Sequence, residues 1–168
     1  MSALLEDRRG RLWVGTTLAG AEVLEEGRFR PLGPAQGLPH HDVRAFLEDR
    51  DGNVWIGTIG GGLTRVAPDG SLRVFTVERD GLPTDRVVAL AEAPDGALWI
   101  GSSGGGVVRY AEGRFRAFTM RDGLTSNRVL TVFPDAGGAV WAGASGGGLN
   151  RIPGDPVTPV TTREGLFH

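Results

Sequence analysis

The stretch DGNVWIGTIGGGLTR, residues 51–65, decides the fold because it recurs. It returns as DGALWIGSSGGGVVR at 95–109 and as GGAVWAGASGGGLNR at 137–151, with a worn copy, RGRLWVGTTLAGAEV, at 9–23. The tryptophans Trp13, Trp55, Trp99 and Trp141 fall 42, 44 and 42 residues apart. A second landmark, QGLP at 36, DGLP at 80, DGLT at 122 and EGLF at 164, advances by 44, 42 and 42. Two markers that keep one period define a repeat array, and every motif inside it is read as part of that array.

One repeat spells out its own secondary structure. VRAFLED at 43–49 is a short run of β-branched and aromatic character, and the RDGN that follows is a tight-turn signal. NVWIGT, LTRVA and LRVFTV are three further runs, separated by IGGG and PDGS. ERDGLPTDR then links to the next unit. The central runs NVWI and ALWI are apolar on both faces, so the strands must be covered on both sides. No segment sustains a helical period. The expectation is an all-β chain: a β-propeller, or a propeller segment, of four four-stranded antiparallel blades. It forms a single repeat domain over 1–168, with blade 1 at 1–42, blade 2 at 43–86, blade 3 at 87–128 and blade 4 at 129–168. The D-G pairs Asp51–Gly52, Asp69–Gly70 and Asp95–Gly96 close hairpins, with glycine taking a positive φ.

Bulk composition narrows the function classes. The net charge of −2 offers no electrostatic grip on nucleic acid or an anionic membrane. The chain has no Cys, which excludes disulfides and thiolate metal sites. No apolar run approaches the roughly 18 residues of a membrane span. The opening MSALLEDRRG turns charged at Glu6 and lacks the apolar core of a signal peptide.

The glycine run invites a phosphate reading, which fails on chemistry. A phosphate loop leads from a strand into a helix and favours a Lys. Here a strand follows the glycines, and the chain holds no Lys. DRDGN at 49–53 lacks the acid spacing of a calcium loop and reads as a hairpin turn. His40 and His41 are adjacent, so their side chains diverge and make a poor metal pair. No metal site, cofactor or catalytic residue is expected, because no Ser-His-Asp or similar constellation is spaced for one. Arg65, Arg109 and Arg151 share one register in the third strand and read as packing or ion-pairing residues. Glu48 and Glu92 read as solvated strand-end carboxylates.

The pattern carried by VRAFLEDRDGNVWIGTIGGGLTR, then VFT and RDGLP, resembles the two-component regulator propeller repeat. VVALAEAPDGALWIGSSGGGVVRY, then AFT and RDGLT, resembles it nearly as closely. The first repeat departs with TTLAGAEV, and the fourth with Ala142 and Ala144. The structural signature is Trp13, Trp55, Trp99 and Trp141 with Gly57, Gly101 and Gly143. The resemblance implies a non-catalytic sensor module that signals through an output domain outside this sequence. Its ligand would be a small polar molecule or a carbohydrate. Alternatives are a stand-alone propeller for protein–protein interaction and a propeller lyase.

In such a module the inter-blade links and the second-to-third-strand loops share one rim. The links carry His40, His41, Asp42, Asp85, Arg86, Asn127 and Arg128, whose planar polar groups suit a hydroxyl-rich ligand. Blade 1 differs from its neighbours there, through His40, His41, Asp42 and the loop 17–20. Met1 aligns with Val43, Val87 and Val129, and His168 aligns with His40, so the sequence reads as four whole units. A four-blade ring, an open arc and an eight-blade dimer all fit the usual range of about 4–8 blades. Self-association or further blades would close the ring. The expected compartment is extracytoplasmic if the chain belongs to a sensor of this family, and cytoplasmic if it stands alone.

Overall fold

The computed structural model describes residues 2–152 and 157–160. The EGLF landmark at 164 and the alignments of Met1 and His168 lie outside the described residues. Four sheets follow one another, each a four-stranded meander in sequence order. The first holds β1 (Ala3–Glu6), β2 (Leu12–Gly15), β3 (Ala21–Glu25) and β4 (Arg28–Leu32). The second holds β5 (Val43–Glu48), β6 (Val54–Thr58), β7 (Leu63–Val66) and β8 (Leu72–Phe75). The third holds β9 (Val87–Glu92), β10 (Leu98–Ser102), β11 (Val107–Ala111) and β12 (Arg114–Phe118). The fourth holds β13 (Val129–Pro134), β14 (Val140–Ala144), β15 (Gly148–Ile152) and β16 (Thr158–Val160).

The hairpins follow from their turn residues. Gly52, Gly70 and Gly96 adopt φ of 80°, 86° and 83°, as the D-G pairs require. The β3–β4 and β11–β12 hairpins turn on Glu26–Gly27 and Glu112–Gly113, with all four residues at positive φ. Positive φ at both central positions marks the turn that matches the right-handed twist of paired strands. The links are tighter than the sequence suggests. ERDGLP begins with a one-turn helix, α1 (Val77–Asp80), and the equivalent links hold 3-10 turns at Pro34–Gln36 and Met120–Asp122. Gly81, Gly37 and Gly123 end these turns with φ of 72°, 99° and 101°.

The second strands are the most buried. Every residue of β6 and of β10 is buried, as strands apolar on both faces demand. The chain divides into two compact units, residues 1–87 and 88–168. In the first, the core gathers Trp13, Leu38, Val43, Val54 and Ile56, with Phe46 packed against it. Trp13 meets Phe46 of the next sheet at 6.1 Å between ring centroids. In the second, Trp99, Phe118, Leu124, Val129, Val140 and Ile152 share one cluster. The tryptophans lie in the second strands, and Trp13 and Trp99 pack towards the following sheet of their own unit.

The signature glycines permit close approach. A Cβ at Gly57 would fall 2.6 Å from Val87 Cγ1, and one at Gly143 would fall 2.8 Å from Thr131 Cγ2. At Gly101 the nearest atoms would be Ala89 Cβ at 3.1 Å and Val129 Cγ1 at 3.2 Å. Among the described residues, no helix is long and apolar enough to cross a membrane.

Candidate functional site

The rim is built from two recurring pieces of backbone. In the first unit, Gly60 N and Gly62 N both donate to Asp85 O, at 2.8 and 3.0 Å. In the second, Gly104 N and Gly106 N donate to Asn127 O, each at 3.0 Å. Blade 1 keeps one of these bonds, Gly20 N to His41 O at 2.9 Å. Short bridges extend the clasp, pairing Ile59 with Arg86 and Ser103 with Arg128. The glycine run is thus a docking turn for the following link. The third glycine is the tightest, because a Cβ at Gly62 or Gly106 would collide with the carbonyl oxygen of Phe75 or Phe118.

The side chains of the links divide into two groups. Asp85 Oδ1 accepts from Val77 N at 2.9 Å, and Asn127 Oδ1 accepts from Met120 N at 2.8 Å. Each ties the link to its own helical turn. Asp42 is gripped by Arg44, with Nη2 to Oδ2 at 2.9 Å and Nε to Oδ1 at 2.6 Å. His40 Nδ1 accepts from Asp42 N at 3.2 Å. The hydroxyls of Thr84 and Ser126 accept from Arg86 N and Arg128 N at the same position of their links, at 3.3 and 3.1 Å. His40 is therefore a histidine doing the turn-closing work of a Thr or Ser, with its proton on Nε2. Its ring covers Gly60, where a Cβ would lie 3.2 Å from Nε2.

The second group is outward-facing. His41, Arg86 and Arg128 are exposed, and their side chains make no hydrogen bond or ion pair among the described residues. His41 has only an edge-on contact with His40, at 6.2 Å between rings. Among the described residues, no group of three or more His, Asp or Glu could hold a metal ion.

The opposite end of three of the four sheets carries a feature that the turn reading passed over. Trp13 Nε1 donates to Asp7 Oδ2 at 2.8 Å, and Trp141 Nε1 to Asp135 Oδ2 at 3.0 Å. Asp49 takes the same role for Trp55. Each aspartate also accepts from the backbone of its own hairpin turn, as Asp49 does from Asp51 N and Asn53 N at 3.0 and 2.8 Å. One carboxylate thus closes the turn and fixes the indole. Burial pushes the Asp7 carboxyl up, but the Trp13 indole, the Arg11 backbone N–H and the Arg11 guanidinium outweigh it, and the carboxyl sits below its ordinary value. The Trp141 indole, helped by the Ala139 and Gly137 N–H groups, holds Asp135 down as well. A guanidinium covers the ring in each of these blades: Arg11 over Trp13 at 5.2 Å, Arg65 over Trp55 at 5.9 Å and Arg151 over Trp141 at 5.7 Å. Glu48 is not solvated. It is largely covered, accepting from Arg8 N at 2.9 Å with the Arg8 guanidinium at 3.5 Å. The aspartate six residues before the tryptophan is visible at 7/13, 49/55 and 135/141, and that spacing was the signal for it.

Segments 1–17, 37–60 and 81–104 match the family model described as two component regulator propeller. Among solved structures, the extracellular domain of the hybrid two component system BT3049 from B. thetaiotaomicron aligns at 27% identity and TM-score 0.80, over 97% of this chain and 23% of that one. The extracellular domain of BT4673 from B. thetaiotaomicron aligns at 21% identity and TM-score 0.79, over 96% of this chain and 25% of that one. Virginiamycin B lyase from Staphylococcus aureus aligns at 17% identity and TM-score 0.75, over 95% of this chain and 55% of that one. The last two likenesses speak to the fold alone. The chain spans about a quarter of the length of these two extracellular domains. No curated protein matches it. Three segments of the chain are thus similar to two component regulator propeller repeats, and its four meander sheets are those of a β-propeller fold.

Proposed function

We propose that the chain is a non-catalytic, ligand-sensing propeller module of a two component regulator, acting outside the cytoplasm. The observation that carries this reading is the likeness to the extracellular domain of BT3049, which runs over 97% of the chain at 27% identity. The ligand is a small polar molecule or a carbohydrate held on the rim loops. Of the seven link residues, His41 and Arg86 in the first unit and Arg128 in the second offer unengaged polar groups to it. His40, Asp42, Asp85 and Asn127 hold the loops that present them. Planar donors on loops tied down by their own hydrogen bonds suit hydroxyl groups, because little order has to be imposed on binding. Bound ligand favours one arrangement of the sensor and passes that bias to an output domain in a longer protein.

The reading is tested by melting the purified chain against a panel of oligosaccharide fragments and then recovering each fragment. A rise in Tm with one class of fragment, recovered intact and lost in Arg86→Ala or Arg128→Ala, supports a sensor. Consumption of the fragment would make the chain an enzyme. A flat panel would remove carbohydrate as the ligand class.

A further inference from the structure

We propose that blade 3 carries a second site, for a small organic carboxylate, built on Trp99. Three of the four tryptophans give their indole N–H to an aspartate six residues earlier. In blade 3 that position is Ala93. Trp99 keeps the ring placement of its counterparts, stacking on Phe118 at 5.6 Å and 23° as Trp55 stacks on Phe75 at 5.7 Å and 29°. Yet its Nε1–H has no acceptor among the described residues, although Trp99 is only 6% exposed. Its counterparts all give this N–H to a carboxylate, so in blade 3 the donor is left for water or a ligand.

A cavity of about 460 Å³ lies against this ring, and Ala93 and Trp99 both line it. A further departure lines the same volume. Arg109 has the register of Arg65 and Arg151 but turns to Asp95, with Nη2 to Oδ2 at 2.9 Å. The remaining walls include Phe118, Ile152 and the Arg116 side chain. The volume is within the usual range for small-molecule pockets, about 300–1,000 Å³.

The sister blades specify the missing chemistry. There the group that receives the indole N–H is a carboxylate, so the ligand brings a carboxylate to that place. Two guanidinium groups line the cavity, Arg109 paired with Asp95 and Arg116 lying over the Phe118 ring. Phe118 and Ile152 offer an apolar surface to the rest of the molecule. The cavity is lined by Ala93, Pro94 and Asp95 of the β9–β10 hairpin and by none of the link residues proposed for the rim, so it does not depend on the rim reading.

Phenylacetate is a suitable probe, with phenylacetamide as its neutral control. Indole N–H resonances of the intact chain are followed by NMR during titration, and the Trp99 signal is assigned by its loss in Trp99→Phe. The expected result is saturable movement of the Trp99 signal with phenylacetate. Phenylacetamide and Trp99→Phe should each bind about tenfold more weakly or worse, since a charged hydrogen bond is lost. Ala93→Asp rebuilds the internal acceptor. It should abolish phenylacetate binding while melting no lower than the parent chain. Unsaturable titration, movement of a different indole, or unchanged binding by Ala93→Asp would each overturn the proposal.

Discussion

The indole Nε1 of Trp55 donates to Oδ2 of Asp49 at 2.7 Å, joining the second strand of its blade to the turn that precedes it. The same carboxylate receives the backbone N–H groups of Asp51 and Asn53 and the Asn53 side-chain amide. Turn closure and tryptophan placement are therefore one event. Asp49→Ala leaves several buried donors without an acceptor and should cost about 3 kcal/mol. Asp49→Asn keeps an acceptor oxygen and should cost clearly less. Urea unfolding of both variants measures the difference, and equal losses would mean that the carboxylate matters only as bulk.

Acid should weaken the first and fourth blades through the same contacts. Asp7 and Asp135 are held below the ordinary carboxyl value of 3.8. A carboxyl depressed on folding contributes stability in full above its unfolded value, and loses it as pH falls through the lower folded value. Tm should be steady around neutrality and drop as the pH passes below 3.8. Asp7→Asn should flatten part of that drop. An acid transition unchanged in Asp7→Asn would remove Asp7 from the explanation.

The three glycines of a run are not equivalent. Gly104 has φ of 112° and open space where a Cβ would go, so Gly104→Ala should cost only the backbone strain, about 1 kcal/mol. Gly106 has φ of 78° and faces the Phe118 carbonyl oxygen, so Gly106→Ala should cost about 3 kcal/mol or more. Thermal melts of the two variants give the order directly, and a reversed order would contradict the docking-turn role.

His40 offers a discriminating substitution on the rim. Its Nδ1 closes the turn that Thr84 and Ser126 close with hydroxyls in the other links. His40→Ser should keep the parent stability, whereas His40→Ala should lose about 1 kcal/mol. If Ser and Ala variants melt alike, the hydrogen bond from Asp42 N carries no weight.

The blades were legible in the sequence because a meander repeats its own turn chemistry. Trp55 and Trp99 recur in step with the DGL landmark, and Gly52 and Gly96 mark the hairpins that the structure shows. The helical turn at Val77–Asp80 was not legible, since four residues are too short for a period to emerge. The link residues were named correctly as loop residues, but which side chains are engaged depends on partners the sequence does not reveal. Asp42 is claimed by Arg44 two residues on, and Asn127 by a backbone N–H seven residues back. Ala93 replaces the aspartate found at 7, 49 and 135. Only the bonds made by Asp7, Asp49 and Asp135 give that replacement its chemical meaning.

The most direct test of the sensor reading is calorimetric titration of the intact chain with the oligosaccharide fragment that most raises its Tm, followed by chromatography of the fragment. The expected result is saturable binding that Arg86→Ala or Arg128→Ala weakens, that Ala93→Asp leaves unchanged, and that returns the fragment whole. A fragment returned cleaved or eliminated, or binding untouched by both rim variants, would contradict a non-catalytic site on the rim.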